Sequence, residues 1–249
     1  MKMRNGMLVL ICSLFVVLGM TSCASNCPKC AACPDCPAAA EAPAKAEEPA
    51  KAEEPAAEAK QAKTETPIEV GGDEIVLPEP LPVSVTLTDS LKQRRSVRSY
   101  TEKMISLEQM SALLWSANGI NREDGKRTAP SARNMQSVSI FAAFEKAAYR
   151  YDHKSHSLKK AADGDLRPVK AAPVEFIFTS NYDNEVIKGI DAGTASQNLA
   201  LYCAAEGLGT VIRMMRGDQS ELQKALQLES NDVPLFNMAV GYEAPAAQE

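Results

Sequence analysis

The sequence predicts an α+β domain, because helical and strand-forming stretches are both present but do not alternate as regular βα units. Three observations carry that expectation. "SLEQMSALLWSANG" and "DAGTASQNLALYCAAEG" place apolar side chains at helical spacing. "SVSIFAAFE", "PVEFIFTS" and "PLFNMAVGY" are short runs of strand formers. No G-x-G-x-x-G follows a strand and no G-x-x-x-x-G-K-[ST] occurs, so neither a Rossmann nor a P-loop phosphate site is supported.

Before that domain lie segments of a different kind. Lys2 and Arg4 precede an almost unbroken apolar run from Met7 to Met20, too short to span a bilayer comfortably and suited to an export signal over residues 1–22. The small residues of "MTSC" resemble the bacterial lipoprotein box and imply a lipidated Cys23, although Met20 stands where leucine is usual. A soluble secreted protein or an uncleaved anchor is the plainer alternative. No twin arginine is present, so export should be Sec-like, before folding. The expected location is the cell envelope, lipid-anchored outside the cytoplasm at the periplasmic side or outer membrane. Ala24 and Ser25 lack the aspartate often linked to inner-membrane retention.

Cys27, Cys30, Cys33 and Cys36 follow at strict three-residue spacing in "CPKCAACPDC". Outside the cytoplasm disulfides are the default for such pairs. A thiophilic metal is the alternative, and a mere spacer the third reading. Residues 37–66 are Ala, Pro, Glu and Lys with "PAKAEE" repeated, a composition that cannot bury a core. Residues 23–79 are thus expected to be a tether, and residues 80–249 a globular head.

Within the head, Thr88 or Asp89 is expected to cap a short helix carrying Leu91 and the arginines of "LKQRRSVRSY". Ser106 and Gln109 form a capping-box pattern for the next helix, whose Leu107, Met110, Leu113 and Leu114 share a face and which Gly119 stops. Trp115 adjoins that face as a packing residue. "SVSIFAAFE" and "YRYD" suggest a hairpin or meander continuing to "SLKKA". A long helix is expected from near Asp191 to Gly207, then a strand in "GTVIRMM", a helix opening near Asp218, and a last strand. His153 and His156 fall in a polar hairpin-like segment and are expected to be exposed. That leaves no Ser-His-Asp apparatus. Cys203 lies on an apolar helix face as packing. The net charge of -5 and the lack of a basic stripe argue against nucleic acid as a partner. Arg94, Arg95 and Arg98 around Ser96 are therefore either a solvated run or a local anion site.

"RRSVRSY", "LLWSANGINREDGKRTAPSARNMQ", "DAGTASQNLALYCAAEGLGTV" and "LFNMAVGY" occur in an order that resembles the nitroreductase superfamily, with the nearest likeness to its SagB-type dehydrogenase branch. The resemblance covers nearly all of residues 80–242. It implies an FMN-binding α+β fold with a central mixed sheet flanked by helices, and a homodimer with a flavin at each of two interface clefts. It implies that Arg94, Arg95, Ser96 and Arg98 hold the flavin phosphate and ribityl chain, where charge-assisted hydrogen bonds suit a dianion. It implies that Pro130, Ser131, Arg133 and Asn134 reach the flavin from the partner chain. Gln197 and Asn198 are amides in an apolar stretch, for which structural hydrogen bonding and flavin contact are both open. Gly207 and Gly209 lead to the segment near the flavin ring, around Arg213, Met214 and Met215.

The implied activity is an FMN-dependent oxidoreductase tethered to the envelope, passing hydride through flavin N5 in ping-pong turnover with a small-molecule redox substrate. The alternative is a non-catalytic flavin- or ligand-binding envelope lipoprotein. Neither a protein nucleophile nor a metal is required, and Tyr149 and Tyr151 are expected to pack rather than react. Two departures stand out. Many relatives supply a further phosphate-binding cation from a C-terminal extension, whereas Lys224 is the one cation after Arg216 here, so Arg213 or Arg216 is the candidate substitute. The stretch between Asp165 and Gly189, expected to roof the substrate pocket, is short.

Overall fold

The computed structural model describes residues 65–215 and 217–245. The signal segment, Cys23, the four-cysteine cluster, most of the tether and Arg216 lie outside the described residues.

Seven strands form one sheet in the order β1-β4-β3-β2-β5-β7-β6. They are β1 (Glu74–Val76), β2 (Val138–Ala143), β3 (Ala147–Asp152), β4 (Ser157–Asp163), β5 (Val174–Ser180), β6 (Gly209–Met214) and β7 (Val233–Gly241). Every pair of neighbouring strands is antiparallel, so the expected mixed sheet is corrected to an antiparallel one. The one parallel pairing among the described residues is an isolated bridge between Ser96 and Thr210. The meander expected after residue 137 is β2–β3–β4.

The central strands are apolar on both faces, and each face has its own cover. Val174, Phe176 and Phe178 of β5 join a core with Met110, Leu113, Leu199 and Cys203. Ile177, between them, joins Phe141 and Leu226 on the opposite side. Side chains alternate across a strand, so a strand covered on both faces reads as the continuous run "VEFIFTS". Phe178 stacks on Phe236 of β7 with ring centroids 4.9 Å apart.

Helices α1 (Leu87–Gln93), α2 (Leu107–Asn118), α3 (Glu185–Ala205) and α4 (Ser220–Ala225) complete the layers. α2 begins with the expected capping box, Ser106 and Gln109 satisfying each other's backbone N–H groups. Gly119 ends it for a steric reason, since a Cβ there would lie 2.3 Å from the Trp115 ring. α1 is capped by Thr86 rather than Thr88 or Asp89, and it stops at Arg94, so the arginines follow the helix instead of riding on it. α3 begins two turns before Asp191, capped by the Asn184 side chain. Its buried positions Lys188, Asp191, Ala192, Ala195, Ser196, Leu199, Ala200, Cys203 and Ala204 recur at helical spacing, mostly as small side chains that let α3 settle close to the sheet and α2. Leu199 has no exposed surface, and its truncation to Ala would cost about 2–5 kcal/mol.

The head starts earlier than residue 80. Thr66 donates from its backbone N–H and hydroxyl to the Glu108 carboxylate at 3.1 and 2.6 Å. β1 pairs with β4, and Ile75 and Leu77 enter the main core. Pro and Glu around this strap resemble the tether in composition, which is why its three-residue strand was illegible. Among the described residues no helix is long and apolar enough to cross a membrane.

Candidate functional site

The basic segment is fastened to the corner where α3 meets β6. Gly207 adopts a left-handed φ of 70° after the helix. Leu208 N–H then bonds Cys203 O at 2.8 Å and Gly207 N–H bonds Ala204 O at 3.3 Å, the paired closure typical of a glycine-ended helix. Val97 N–H donates to Thr210 O at 3.0 Å. Val97 itself lies where a Gly209 side chain would be, 2.6 Å from the built Cβ position. Only a glycine at 209 admits this approach.

Arg94, Arg95, Gly207, Gly209, Thr210 and Glu243 line a cavity of about 150 Å³ beside this corner. The guanidiniums of Arg94, Arg95 and Arg98 and the Ser96 hydroxyl belong to exposed residues on the single chain, and Ser96 and Arg98 do not line the cavity. Arg95 forms a two-pronged pair with Glu243, one prong at 2.9 Å. Thr210 is 5% exposed, and its hydroxyl has no hydrogen-bond partner among the described residues.

A second cavity, about 220 Å³, opens between the end of α2, the loop before β2 and α3. Pro130, Ser131 and Asn134 line it as a set, together with Arg127 and Asp191, which the sequence reading did not single out. Asp191 is buried on α3 and accepts the Ala132 N–H with both carboxylate oxygens, at 3.0 and 3.2 Å. Ser131 Oγ accepts from Gln136 N–H at 2.9 Å. Arg133, Asn134 and Gln136 all hold positive φ, so the loop is a sharply folded unit. Arg133 is exposed and outside the cavity lining.

The remaining candidates are dispersed. Gln197 is exposed and Asn198 half-buried, so Gln197 is no buried amide, and neither lines these two cavities. Arg213 and Met214 close β6, with Met214 70% exposed. The histidines are corrected from exposed to half-buried and bonded. His156 Nδ1 contacts the Tyr151 hydroxyl at 2.9 Å and its Nε2 the Ser111 hydroxyl at 2.7 Å. Ser111 can donate to Pro78 O, so the consistent neutral tautomer carries its proton on Nε2 and accepts from Tyr151 on Nδ1. His153 Nε2 lies 3.1 Å from Arg127 Nη2, and burial first, then Arg127, pushes its pKa down to about 4. Burial raises the Cys203 thiol far out of the reactive range, as packing requires. Tyr149 is fully buried and its hydroxyl is spent on Gly71 N–H and Gly72 O. No group of His, Cys, Asp and Glu suited to a metal exists among the described residues.

α3 lines both cavities, Ala195 facing one and Ala200 the other. Five residues of helix separate them by about 7.5 Å along the axis. A basic cradle and a Pro-Ser-loop cavity thus both adjoin one helix, about 140° apart around its axis. The antiparallel α+β scaffold is that of the nitroreductase fold. A family model described as Nitroreductase matches residues 91–242, more than half of the chain, and the chain belongs to that family. It is 27% identical over 196 residues to a protein of Methanocaldococcus jannaschii described as a nitroreductase, covering 68% of this chain and 98% of the relative. It is 25% identical over 177 residues to the NAD(P)H-type FMN reductase of Bacillus subtilis, covering 62% of this chain and 65% of the reductase. A crystal structure of a protein from Ralstonia eutropha, described as a nitroreductase, superposes with a TM-score of 0.66 at 30% identity, over 72% of this chain and 94% of that one.

Proposed function

We propose that the chain is an FMN-dependent oxidoreductase acting on small redox-active molecules. One observation carries this reading: the cationic Arg94–Arg95 segment is fastened beside a glycine corner whose buried Thr210 hydroxyl has no partner among the described residues. A buried hydroxyl without a partner leaves a donor that a ligand acceptor could take. A dianionic phosphate supplies acceptors for the hydroxyl and for the Arg94 and Arg95 forks, so the residues present fit the group. The Bacillus subtilis relative, named as an FMN reductase, supports the choice of cofactor. FMN, when bound, supplies the two-electron chemistry. The chain's own part is to seat the phosphate with Arg94 and Arg95 and to offer Pro130, Ser131 and Asn134 as a shaped wall.

Self-association belongs to the same reading. The two cavities do not merge within one chain, and a second copy would bring the loop cavity of one chain to the basic cradle of the other. Val186 and Ile190 on α3 and Ile212 and Met214 on β6 are large apolar side chains, each at least 45% exposed, and support a covered face. Replacement of Ile190 by Glu is expected to halve the mass in light scattering and to release FMN together.

The SagB-type branch and the envelope tether rest on the sequence patterns above. Substitution Cys23→Ala is expected to move the chain from the membrane to the soluble fraction. The flavin reading itself is tested by purification. A yellow chain that bleaches with a reductant and regains colour with a quinone or nitroaromatic supports an enzyme. A yellow chain that does neither supports the flavin-binding alternative, and a colourless chain that does not take up FMN removes both.

A further inference from the structure

The loop cavity carries an unbalanced positive charge. Arg122, Lys126 and Arg127 line it against one carboxylate, Asp191, whose two oxygens are both engaged by Ala132 N–H. Arg127 is 8% exposed, yet its partners are neutral: Val138 O at 3.3 Å from Nη1 and His153 Nε2 at 3.1 Å from Nη2. Its Nε has no partner among the described residues. A guanidinium does not lose its proton in a protein, so this is a buried cation with no ion-pair partner among the described residues. Such a charge is costly unless an anion comes near it. Arg122 adds a second cation, bonded among the described residues to the Asn121 side chain and the Arg127 carbonyl. Lys126 adds a third, paired with Asp124 at 2.6 Å.

We infer that this cavity is a carboxylate-binding subsite for the organic substrate. The inference rests on the flavin reading of the adjoining Pro130–Asn134 segment, because an acid held here lies against that segment. The chemistry named is a small organic acid, since about 220 Å³ is below the roughly 300–1,000 Å³ of pockets for drug-sized ligands. Arg127 supplies the fixed charge from within, and Arg122 and Lys126 are the exposed cations that meet the acid at the mouth. The same charges would also suit the flavin's own phosphate, and the experiment separates the two.

Benzoate and benzamide, alike in shape and different in charge, are titrated calorimetrically into the full chain in detergent. Benzoate is expected to bind about tenfold or more tightly than benzamide, a difference typical of one satisfied charge contact. The exposed pair is then replaced together, Arg122→Gln with Lys126→Gln. The preference should fall severalfold, the remainder being held by Arg127, while flavin absorbance per chain is unchanged. Equal binding of the two compounds by the parent, or a preference that survives both the double substitution and a further Arg127→Gln, overturns the inference. Loss of flavin from the double variant overturns it too, because the cavity then serves the cofactor phosphate. A chain that holds no flavin yet selects benzoate supports the subsite and removes the redox reading alone.

Discussion

Arg95 and Glu243, 148 positions apart in sequence, meet as a two-pronged ion pair at the rim of the basic cradle. Glu243 is placed there by an antiparallel bridge to Tyr100, so the pairing is built by the fold and not by a chance side-chain reach. Both side chains are substantially exposed, at 63% and 41%, and the pair adds little to stability. Its consequence is for binding. On the proposed reading, an incoming phosphate takes the Arg95 fork from an internal carboxylate.

Glu243→Gln is therefore expected to tighten FMN binding about three- to tenfold, since removing one competing charge is of the order of 1 kcal/mol. Arg95→Gln should weaken it by tenfold or more, the scale of one lost charge-assisted bond. Titration of the flavin-free chain, followed by quenching of FMN fluorescence, reads both. Glu243→Gln binding FMN no more tightly than the parent would mean that Glu243 orients Arg95 instead of competing for its ligand.

Gly209 fixes where the arginines stand. A methyl group at that position would sit 2.6 Å from Val97 Cγ1 and 2.7 Å from its Cβ, and Val is stiff about χ1. Gly209→Ala is expected to push the Ser96–Arg98 segment away from β6, costing about 1–3 kcal/mol in overpacking. The melting temperature should fall and FMN affinity should fall with it. An unchanged affinity in a folded Gly209→Ala variant would separate the arginine segment from the cofactor.

Much of this architecture was readable in the residues. The capping box of α2 and the "VEFIFTS" strand announce themselves locally, because caps and two-sided burial leave short signatures. The N-terminal strap did not, since Ile75, Val76 and Leu77 are a run of only three apolar residues between charges and proline, and Val76 faces solvent. The early start of α3 was hidden by Gly189 inside "EVIKGI", a residue that normally argues against helix. Among the residues lining the two cavities, Arg94, Arg95, Pro130 and Ser131 stand out as a sequence pattern, whereas Asp191 and Arg127 do not. Their roles come from partners 59 and 26 positions away, which no local window contains.

The histidines set a pH window for stability. His153 titrates at about 4 in the folded chain, lowered by burial and by Arg127, with Asp152 opposing weakly. His156 is also lowered by burial. An unfolded histidine takes its proton near 6.5, so between these values the unfolded chain binds more protons than the folded one. The stability is thus fully present above about pH 6.5 and is lost as pH falls toward about 4. Thermal melts from pH 7.5 to 4.5 should show a decline that His153→Gln makes shallower. An identical pH slope in the variant would assign the decline to carboxylates such as Asp165, which is itself held at about 2 by Arg167.

Asp191 is the residue that holds the Pro130–Gln136 loop in shape. Arg133, Asn134 and Gln136 adopt φ of 52°, 56° and 51°, a region that costs an L-residue roughly 1–2 kcal/mol each, less for Asn. Three such residues persist only if the loop is fixed from outside, and the fixing contacts are few. Asp191 takes Ala132 N–H, Ser131 Oγ takes Gln136 N–H, and the Gln136 amide reaches Gly125 O at 3.0 Å. Asp191→Ala removes the anchor that α3 supplies and leaves the Ala132 N–H without its acceptor, a loss of about 1–3 kcal/mol. Asp191→Asn keeps one acceptor oxygen and should lose less. Hydrogen–deuterium exchange over residues 131–136 is expected to quicken in the order parent, Asn variant, Ala variant, with the β2 and β5 amides unchanged. If the Ala variant exchanges there like the parent, the left-handed residues are held by the Ser131–Gln136 and Gln136–Gly125 contacts, and Asp191 is free for a role facing the cavity.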